Sequence, residues 1–266
     1  MRRTAKVLVR HYADGRTERR PDEVVVEEPL EIRIDDQLVA TTMRTPGHDF
    51  ELAVGFVNAE GLLEDARVTS VRYCGVGSAV ETEFNVVSVT TAGGGPLPVP
   101  RLSTVSSSCG LCGSDQLEAL ADRLQPLDSV GPFGVDSLHA LVTSMVDGQE
   151  LFDRTGGVHA AALVSRGSVM VVREDIGRHN AVDKLVGWLL LDGEEGPSEL
   201  LADTAVLVSS RASFELVQKV WAAGIGTLLA VGAPSALAIS TAEAAGMNLV
   251  AFVRDGSFNV YAGSVS

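Results

Sequence analysis

The sequence predicts an α/β protein: a three-layer α/β/α sandwich in its second half, preceded by a small N-terminal α+β domain. Three observations carry this expectation. From Gly156 onward, apolar runs of strand length alternate with stretches of helical periodicity. Before residue 100 the order is different, with extended segments grouped around one helical stretch. Between the two lies a glycine- and proline-rich break, AGGGPLPVP, followed by SSSCGLCG, which holds two of the three cysteines in the chain. The expected division is 1–100 for the first domain, 101–154 for the C-x-x-C loop and connecting helices, and 155–266 for the sandwich.

In PLEIRIDD, Leu30, Ile32 and Ile34 alternate with Glu31, Arg33 and Asp35, the period of a half-buried strand. Asp35 and Asp36 supply turn chemistry before a second extended stretch, LVATTMRT, so a hairpin is expected. In HDFELAVGFVNAEG, Phe50, Ala53, Val54 and Val57 recur at helical spacing, and Gly61 stands where a helix stops. VTSVRYCG and ETEFNVVSVTT read as two further extended segments. Residues 93–100 form the linker, mixing glycine flexibility with prolines that cannot continue a strand ladder. Asp115 and Glu118 then stand at capping-box spacing, ahead of a stripe of Leu117, Leu120, Ala121 and Leu124. A further helix is expected from Ser137 towards Gly148. Residues 158–164 and 169–173 read as a hairpin turning at Arg166 and Gly167. Next come a helix AVDKLVGWLLL, a strand TAVLVS, a helix FELVQKVWAAG, a strand TLLAV, a helix LAISTAEAAG, a strand LVAFV and a last hairpin through Arg254, Asp255 and Gly256. Strands interleaved with helices imply a sheet covered on both faces.

At 266 residues, 45% apolar and 21% charged, the chain has ordinary globular usage and the length to bury a substantial core; it carries no internal repeat. A formal net charge of -14 repels phosphate backbones and anionic membranes, so neither nucleic acid nor membrane is expected as a partner. Apolar runs such as LVGWLLL fall short of the ~20 residues that cross a bilayer. The basic start, MRRTAKVLVRHYADGRTERR, is followed by no apolar run of secretory length, and a cytoplasmic location is expected. Three cysteines in such a chain are not a disulfide framework. Cys74, isolated in SVRYCGVG, reads as a small buried hydrophobe.

Open α/β sheets bind ligands outside the carboxyl ends of their strands. Here those positions carry EDIGRHN with Arg178, His179 and Asn180, SRAS with Arg211, and RDGS after Val253. Arginines in three strand-exit loops of an acidic protein point to an anionic ligand, a nucleotide or other phosphate, against the plainer reading of surface ion pairs. Glu215 and Lys219, at i,i+4 spacing, read as such a solvated pair. Asp183 and Lys184 read equally well as an exposed helix face or as ligand contacts.

The thiol pair admits three readings. Structural zinc wants four ligands, and the chain has no second C-x-x-C and no closely spaced histidines. A zinc deaminase is rejected too: His159 stands where an H-x-E ligand motif begins, but Ala161 occupies the place of the glutamate and no P-C-x-x-C follows. His159 reads instead as a core or ligand-contact residue. A thioredoxin-like dithiol needs a strand leading straight into the motif, whereas seventeen residues separate Thr91 from Cys109. What remains is a mobile sulfur-handling loop, in which the serines and Gly110 allow close approach to another protein. A helix N-terminus lowers the pKa of a nearby thiol, and Cys112 is nearer the helix start; these considerations alone leave open which cysteine leads.

The segments TPGHDFELAVGFVNAEGLL (45–63), CGLCG (109–113), TGGVHAA (155–161), REDIGRHNAVDKLVG (173–187), SSRASFELVQK (209–219) and FVRDGSFNVY (252–261) together resemble the formate dehydrogenase accessory sulfurtransferases, the FdhD family of sulfur carriers. The resemblance implies a cytidine deaminase-like fold for the sandwich, with residues 155–266 as the cofactor-binding domain. It implies a sulfurtransferase that takes sulfur from a cysteine desulfurase as a persulfide. The recipient it implies is the molybdenum or tungsten bis(molybdopterin guanine dinucleotide) cofactor, before insertion into the formate dehydrogenase catalytic subunit. By this similarity Cys109 bears the persulfide, with Cys112 as its partner, and the cofactor is a bound client contacted by Phe252, Val253, Arg254, Asp255, Gly256 and Ser257. Arg254 and Arg211 are the candidates for phosphate, while Asp175, Asn180 and Asp183 either read the guanine-nucleotide moiety or fix the loop. A homodimer is expected from the resemblance alone. The alternative from another class is a non-enzymatic cofactor chaperone whose cysteine pair binds zinc.

Overall fold

A computed structural model of the chain describes residues 1–63, 66–73, 79–80, 82–92, 124–127, 130–135, 138–192, 204–254 and 256–266. The expected linker at 93–100, all three cysteines, Asp255 and the helix after Asp115, apart from Leu124, lie outside the described residues.

The chain opens with a two-stranded arm, β1 (Thr4–Ala13) and β2 (Arg16–Val25), paired antiparallel over their full length. Its turn is Asp14 and Gly15, both at positive φ (49° and 73°), the backbone that a twisted two-residue hairpin requires. β3 (Glu28–Ile34) and β4 (Gln37–Arg44) form the expected hairpin, with Asp35 and Asp36 at φ 48° and 65°. β5 (Val68–Tyr73) and β6 (Val86–Thr91) complete a four-stranded sheet of order β4-β3-β6-β5. The segment expected to extend from Glu81 begins only at Val86, because Glu83 and Phe84 take φ of 51° and 60° and turn the chain. One helix, α1 (Asp49–Ala59), covers this sheet, burying Leu52, Ala53, Phe56 and Val57 against Leu30, Ile32, Val87 and Val89.

After α2 (Leu138–Asp147) and the short α3 (Glu150–Thr155) comes the larger sheet. Its strands are β7 (His159–Ser165), β8 (Ser168–Asp175), β9 (Thr204–Val208), β10 (Thr227–Ala230), β11 (Asn248–Arg254) and β12 (Ser257–Ala262). They lie in the order β12-β11-β10-β9-β7-β8, with β9, β10 and β11 parallel. Between them run α4 (Arg178–Asp192), α5 (Phe214–Ala222) and α6 (Ala236–Ala245). Side chains alternate between two cores. Ala161, Leu163, Val206, Val208, Leu228 and Leu249 face α4, α5 and α6, whereas Ala162, Val164, Leu207, Leu229 and Val250 face α2. Each fully buried Leu or Val contributes about 1.5–3 kcal/mol. All three helices that alternate with the strands therefore lie on one face, and the opposite face is covered by α2 from earlier in the chain.

The two sheets meet through their helices. Gly55 of α1 and Gly187 of α4 lie at the crossing: a Cβ on Gly55 would sit 1.9 Å from the Asp183 carbonyl oxygen, and one on Gly187 would sit 1.8 Å from that of Glu51. Only the absence of a side chain lets the backbones come this close. No helix among the described residues is long and apolar enough to cross a membrane.

Candidate functional site

Strands β8, β9, β10 and β11 end on the same edge of the larger sheet, because β7 runs antiparallel to both β8 and β9 while β9 to β11 are parallel. The loops after Asp175, Val208, Ala230 and Arg254 thus converge, and Arg178, Arg211 and Arg254 share that edge. On the α2 side of the edge opens a cleft of about 520 Å³. Val142, Met145, Val146, Phe152, Val158 and Val231 supply apolar walls, while Gln149, Gly156, Gly157, His159 and Ser209 supply polar and backbone groups. The Ser209 hydroxyl accepts the Ala160 N–H at 2.9 Å, fixing the start of β7 against the end of β9.

The proposed cofactor residues are spread around this edge. Arg211 and Arg254 are exposed, and Arg254 lies 5.6 Å from the Phe252 ring centroid in a cation–π contact. Phe252 adopts φ 55°, left-handed backbone for a bulky residue, at a bulge where two residues of β11 oppose one of β12. The bulge breaks the alternation: Phe252 packs with Ala251 toward the α4–α6 core, and Val253 turns to the α2 core. Gly256 takes φ 72° in the β11–β12 turn, and the Ser257 hydroxyl donates to the Arg254 carbonyl at 3.0 Å. Neither Arg211 nor Arg254 lines the cleft, which the α2 side chains dominate. These α2 residues and Gln149 were not anticipated as site residues. Their only sequence signal is an ordinary apolar stripe.

His159 lies half-buried in the cleft wall, and burial, followed by the nearby Arg178 and His179, holds its pKa below 6.5 against the opposing charge of Asp175. His179 approaches Glu215 to 2.5 Å, and that contact, more than any other influence, lowers the Glu215 carboxyl below 4.5.

The motif EDIGRHNAVDK turns out to be largely a buried polar joint between the sheets. Asp175, fully buried, accepts the Thr45 N–H (3.1 Å), the Gly177 N–H (2.9 Å), the Asn180 amide (3.0 Å) and the Lys184 ammonium (2.7 Å). Lys184 also donates to the carbonyls of Thr45 (2.9 Å) and Glu174 (3.3 Å), and Asn180 donates to the Met43 carbonyl (2.7 Å). Arg44, closing β4, grips Asp49 of α1 at 3.1 and 3.0 Å. Burial pushes the Lys184 pKa down, with Asp175 opposing it. Two expectations are corrected here. Glu215 and Lys219 are not a solvated pair: Lys219 is buried and donates to both carboxylate oxygens of Asp183 (2.8 and 2.9 Å), leaving Glu215 to His179. Asp183 and Lys184 are neither an exposed helix face nor ligand contacts, since both are almost wholly buried; burial raises the Asp183 pKa, with Lys219 opposing it. Asp175 and Asn180 fix the loop.

Two sheets locked back to back through α1 and α4, with a cleft beside the carboxyl edge of the larger one, define a mixed α/β protein. The profile of the FdhD/NarQ family matches residues 25–265, and the chain belongs to that family. It is 47% identical to the sulfur carrier protein FdhD of Mycolicibacterium paratuberculosis, over 98% of this chain and 97% of the relative. It is 46% identical to the protein of that name from Streptomyces avermitilis, over 98% and 94%. In fold it matches the crystal structure of a Desulfotalea psychrophila protein assigned as a formate dehydrogenase accessory protein, with a TM-score of 0.73, 22% identity and 98% of both chains covered.

Proposed function

We propose that this chain is a sulfur carrier for formate dehydrogenase, loaded at Cys109 by a cysteine desulfurase and unloaded onto the bis(molybdopterin guanine dinucleotide) cofactor. The observation that carries this reading is near-full-length likeness to proteins named sulfur carrier protein FdhD, in a chain that holds CGLCG. The Cys109 thiolate attacks the outer sulfur of the donor persulfide; the donor S–S bond breaks, the donor cysteine leaves as thiolate, and Cys109 carries the S–SH group. Attack of the Cys112 thiolate on the inner sulfur then forms a Cys109–Cys112 disulfide and expels hydrosulfide, which goes to the molybdenum or tungsten of the client. A cellular dithiol reductant returns the pair to thiols.

The convergence of Arg178, Arg211 and Arg254 on one edge supports binding of a phosphate-rich client there, with Phe252 to Ser257 against its guanine-nucleotide moiety and Arg254 and Arg211 on phosphate. The acceptor of the loaded cofactor is the formate dehydrogenase catalytic subunit, and the exchange belongs in the cytoplasm. In this reading the larger sheet is a relative of the cytidine deaminase-like fold that has turned its carboxyl edge to cofactor binding.

Mass spectrometry of the purified chain, after incubation with a cysteine desulfurase and free cysteine, tests the proposal. One added sulfur, about 32 Da, is expected on the wild type and not on Cys109→Ala. No adduct on the wild type, or an undiminished one on the variant, overturns it. Stoichiometric zinc that is lost on replacing both cysteines would instead favour a cofactor chaperone.

A further inference from the structure

Gln149 is out of keeping with its surroundings. It is 4% exposed, it immediately precedes α3, and it lines the cleft beside the carboxyl edge. Its main chain is engaged on both sides, the N–H donating to the Val146 carbonyl (2.9 Å) and the carbonyl accepting the Asp153 N–H (3.0 Å). Its side-chain amide has no hydrogen bond among the described residues. The residue before a helix ordinarily uses its side chain to hold the first free N–H groups. Here Glu174 takes that part, its two carboxylate oxygens accepting the N–H groups of Leu151 and Phe152 at 2.9 Å each. The Gln149 amide is thereby left over. A buried amide without a partner lowers stability, so one kept in a cleft wall calls for a partner from outside the chain.

The cleft narrows down what that partner is. None of its lining residues is Lys, Arg, Asp or Glu, and its walls are mainly aliphatic, with the Phe152 ring among them. Val146 and Phe152 stay 46% and 44% exposed, apolar surface of the kind that a stacked ring covers. The part of a ligand that enters is therefore uncharged, apolar on its faces and polar along an edge. A primary amide presents one acceptor and one donor side by side. Its match is a ring edge carrying C=O next to N–H, which closes two hydrogen bonds at once. The Ser209 hydroxyl accepts from Ala160, and its own proton has no acceptor among the described residues, so the same cleft offers a further donor.

We propose that the cleft binds a flat 2-amino-4-oxo heterocycle, the ring that pterin and guanine share, and that Gln149 reads its lactam edge. Oε1 accepts from the ring N–H, and Nε2 donates to the ring carbonyl. The choice of ring rests on the reading of the client as a molybdopterin guanine dinucleotide. The cleft adds a ring site to the phosphate contacts of Arg211 and Arg254, neither of which lines it.

Fluorescence titration with 6-hydroxymethylpterin and calorimetry with GDP, both on the full chain, test this. The wild type should bind at least one of the two saturably. Gln149→Leu, close to isosteric, should weaken that binding by about tenfold or more. Its melting temperature should be unchanged or higher, because the lost amide has no partner in the free chain. Gln149→Glu, whose two oxygens can accept from the ring N–H and the 2-amino group, should bind more tightly than Gln149→Leu. A loss confined to the pterin assigns the cleft to that ring, a loss confined to GDP assigns it to guanine, and a loss of both shows that it takes either. The proposal is overturned if the wild type binds neither probe, if Gln149→Leu binds both as the wild type does or melts earlier, or if Gln149→Glu binds no better than Gln149→Leu. Sulfur loading is read separately: Gln149→Leu should still gain the ~32 Da adduct at Cys109. A wild type that binds a ring but takes up no sulfur overturns the carrier reading and leaves the ring site standing.

Discussion

The joint between the sheets and the carboxyl edge of the larger sheet use the same kinds of residue in opposite ways. At the joint, Asp175 and Lys184 are wholly buried, and each carboxylate oxygen of Asp175 has two partners. At the edge, Arg211 and Arg254 stand exposed, without an ion pair among the described residues. A buried ion pair is held because removing one member strands the other, whereas an exposed cation costs the fold little and remains free for a ligand. The difference teaches that the most distinctive motif of the chain, EDIGRHNAVDK, owes most of its character to architecture.

Breaking the joint should give the largest effect. Asp175→Ala strands the Lys184 ammonium and is expected to cost about 3–5 kcal/mol in urea unfolding. A cost below ~1 kcal/mol would mean that the joint is not under load. Next, Gly187→Ala places a methyl group inside the Glu51 backbone and should cost about 1–3 kcal/mol, with the β11–β12 turn unaffected.

A smaller effect is expected from pH. The folded pKa of His159 lies below 6.5, so on acidification the unfolded chain takes up this proton first. Its contribution is present above pH 6.5 and is lost as pH falls through the folded value. Glu51 and Glu215, whose folded pKa values lie below 4.5, keep their contributions down to pH 4.5 and lose them below it. Unfolding curves from about pH 8 to 4 should therefore show stability declining in two stages, and His159→Gln should remove the upper one. The smallest effect on the fold sharpens the contrast from the other side. Arg254→Ala should change stability by no more than ~0.5 kcal/mol while weakening GDP binding about tenfold by calorimetry. Unchanged GDP affinity would remove Arg254 from the proposed phosphate contacts.

Elements whose burial follows from local periodicity were legible in the sequence. Leu30, Ile32 and Ile34 announce β3, Asp35 and Asp36 its turn, and the strand and helix order after Gly156 is as read. The arm was not, because both of its faces are largely exposed and no alternation marks them; Pro21 and the charges of β2 obscure it further. Its one local sign is Asp14-Gly15. The joint was also hidden. Glu215 and Lys219 stand at the spacing of a surface pair, and nothing local tells that Lys219 reaches Asp183, thirty-six positions away. The arginine loops did converge on one edge, as the strand-end rule requires, but the cleft beside them is walled by α2, whose place opposite α4–α6 only the tertiary fold decides.

The glycine crossing of α1 and α4 has a bearing on how relatives of this chain are compared. Gly55 and Gly187 tolerate no other amino acid without displacing a neighbouring main chain, although neither touches the cleft. Ranking positions by invariance will therefore set these two beside the residues that handle the ligand. Such invariance would record only how near two helices come to each other.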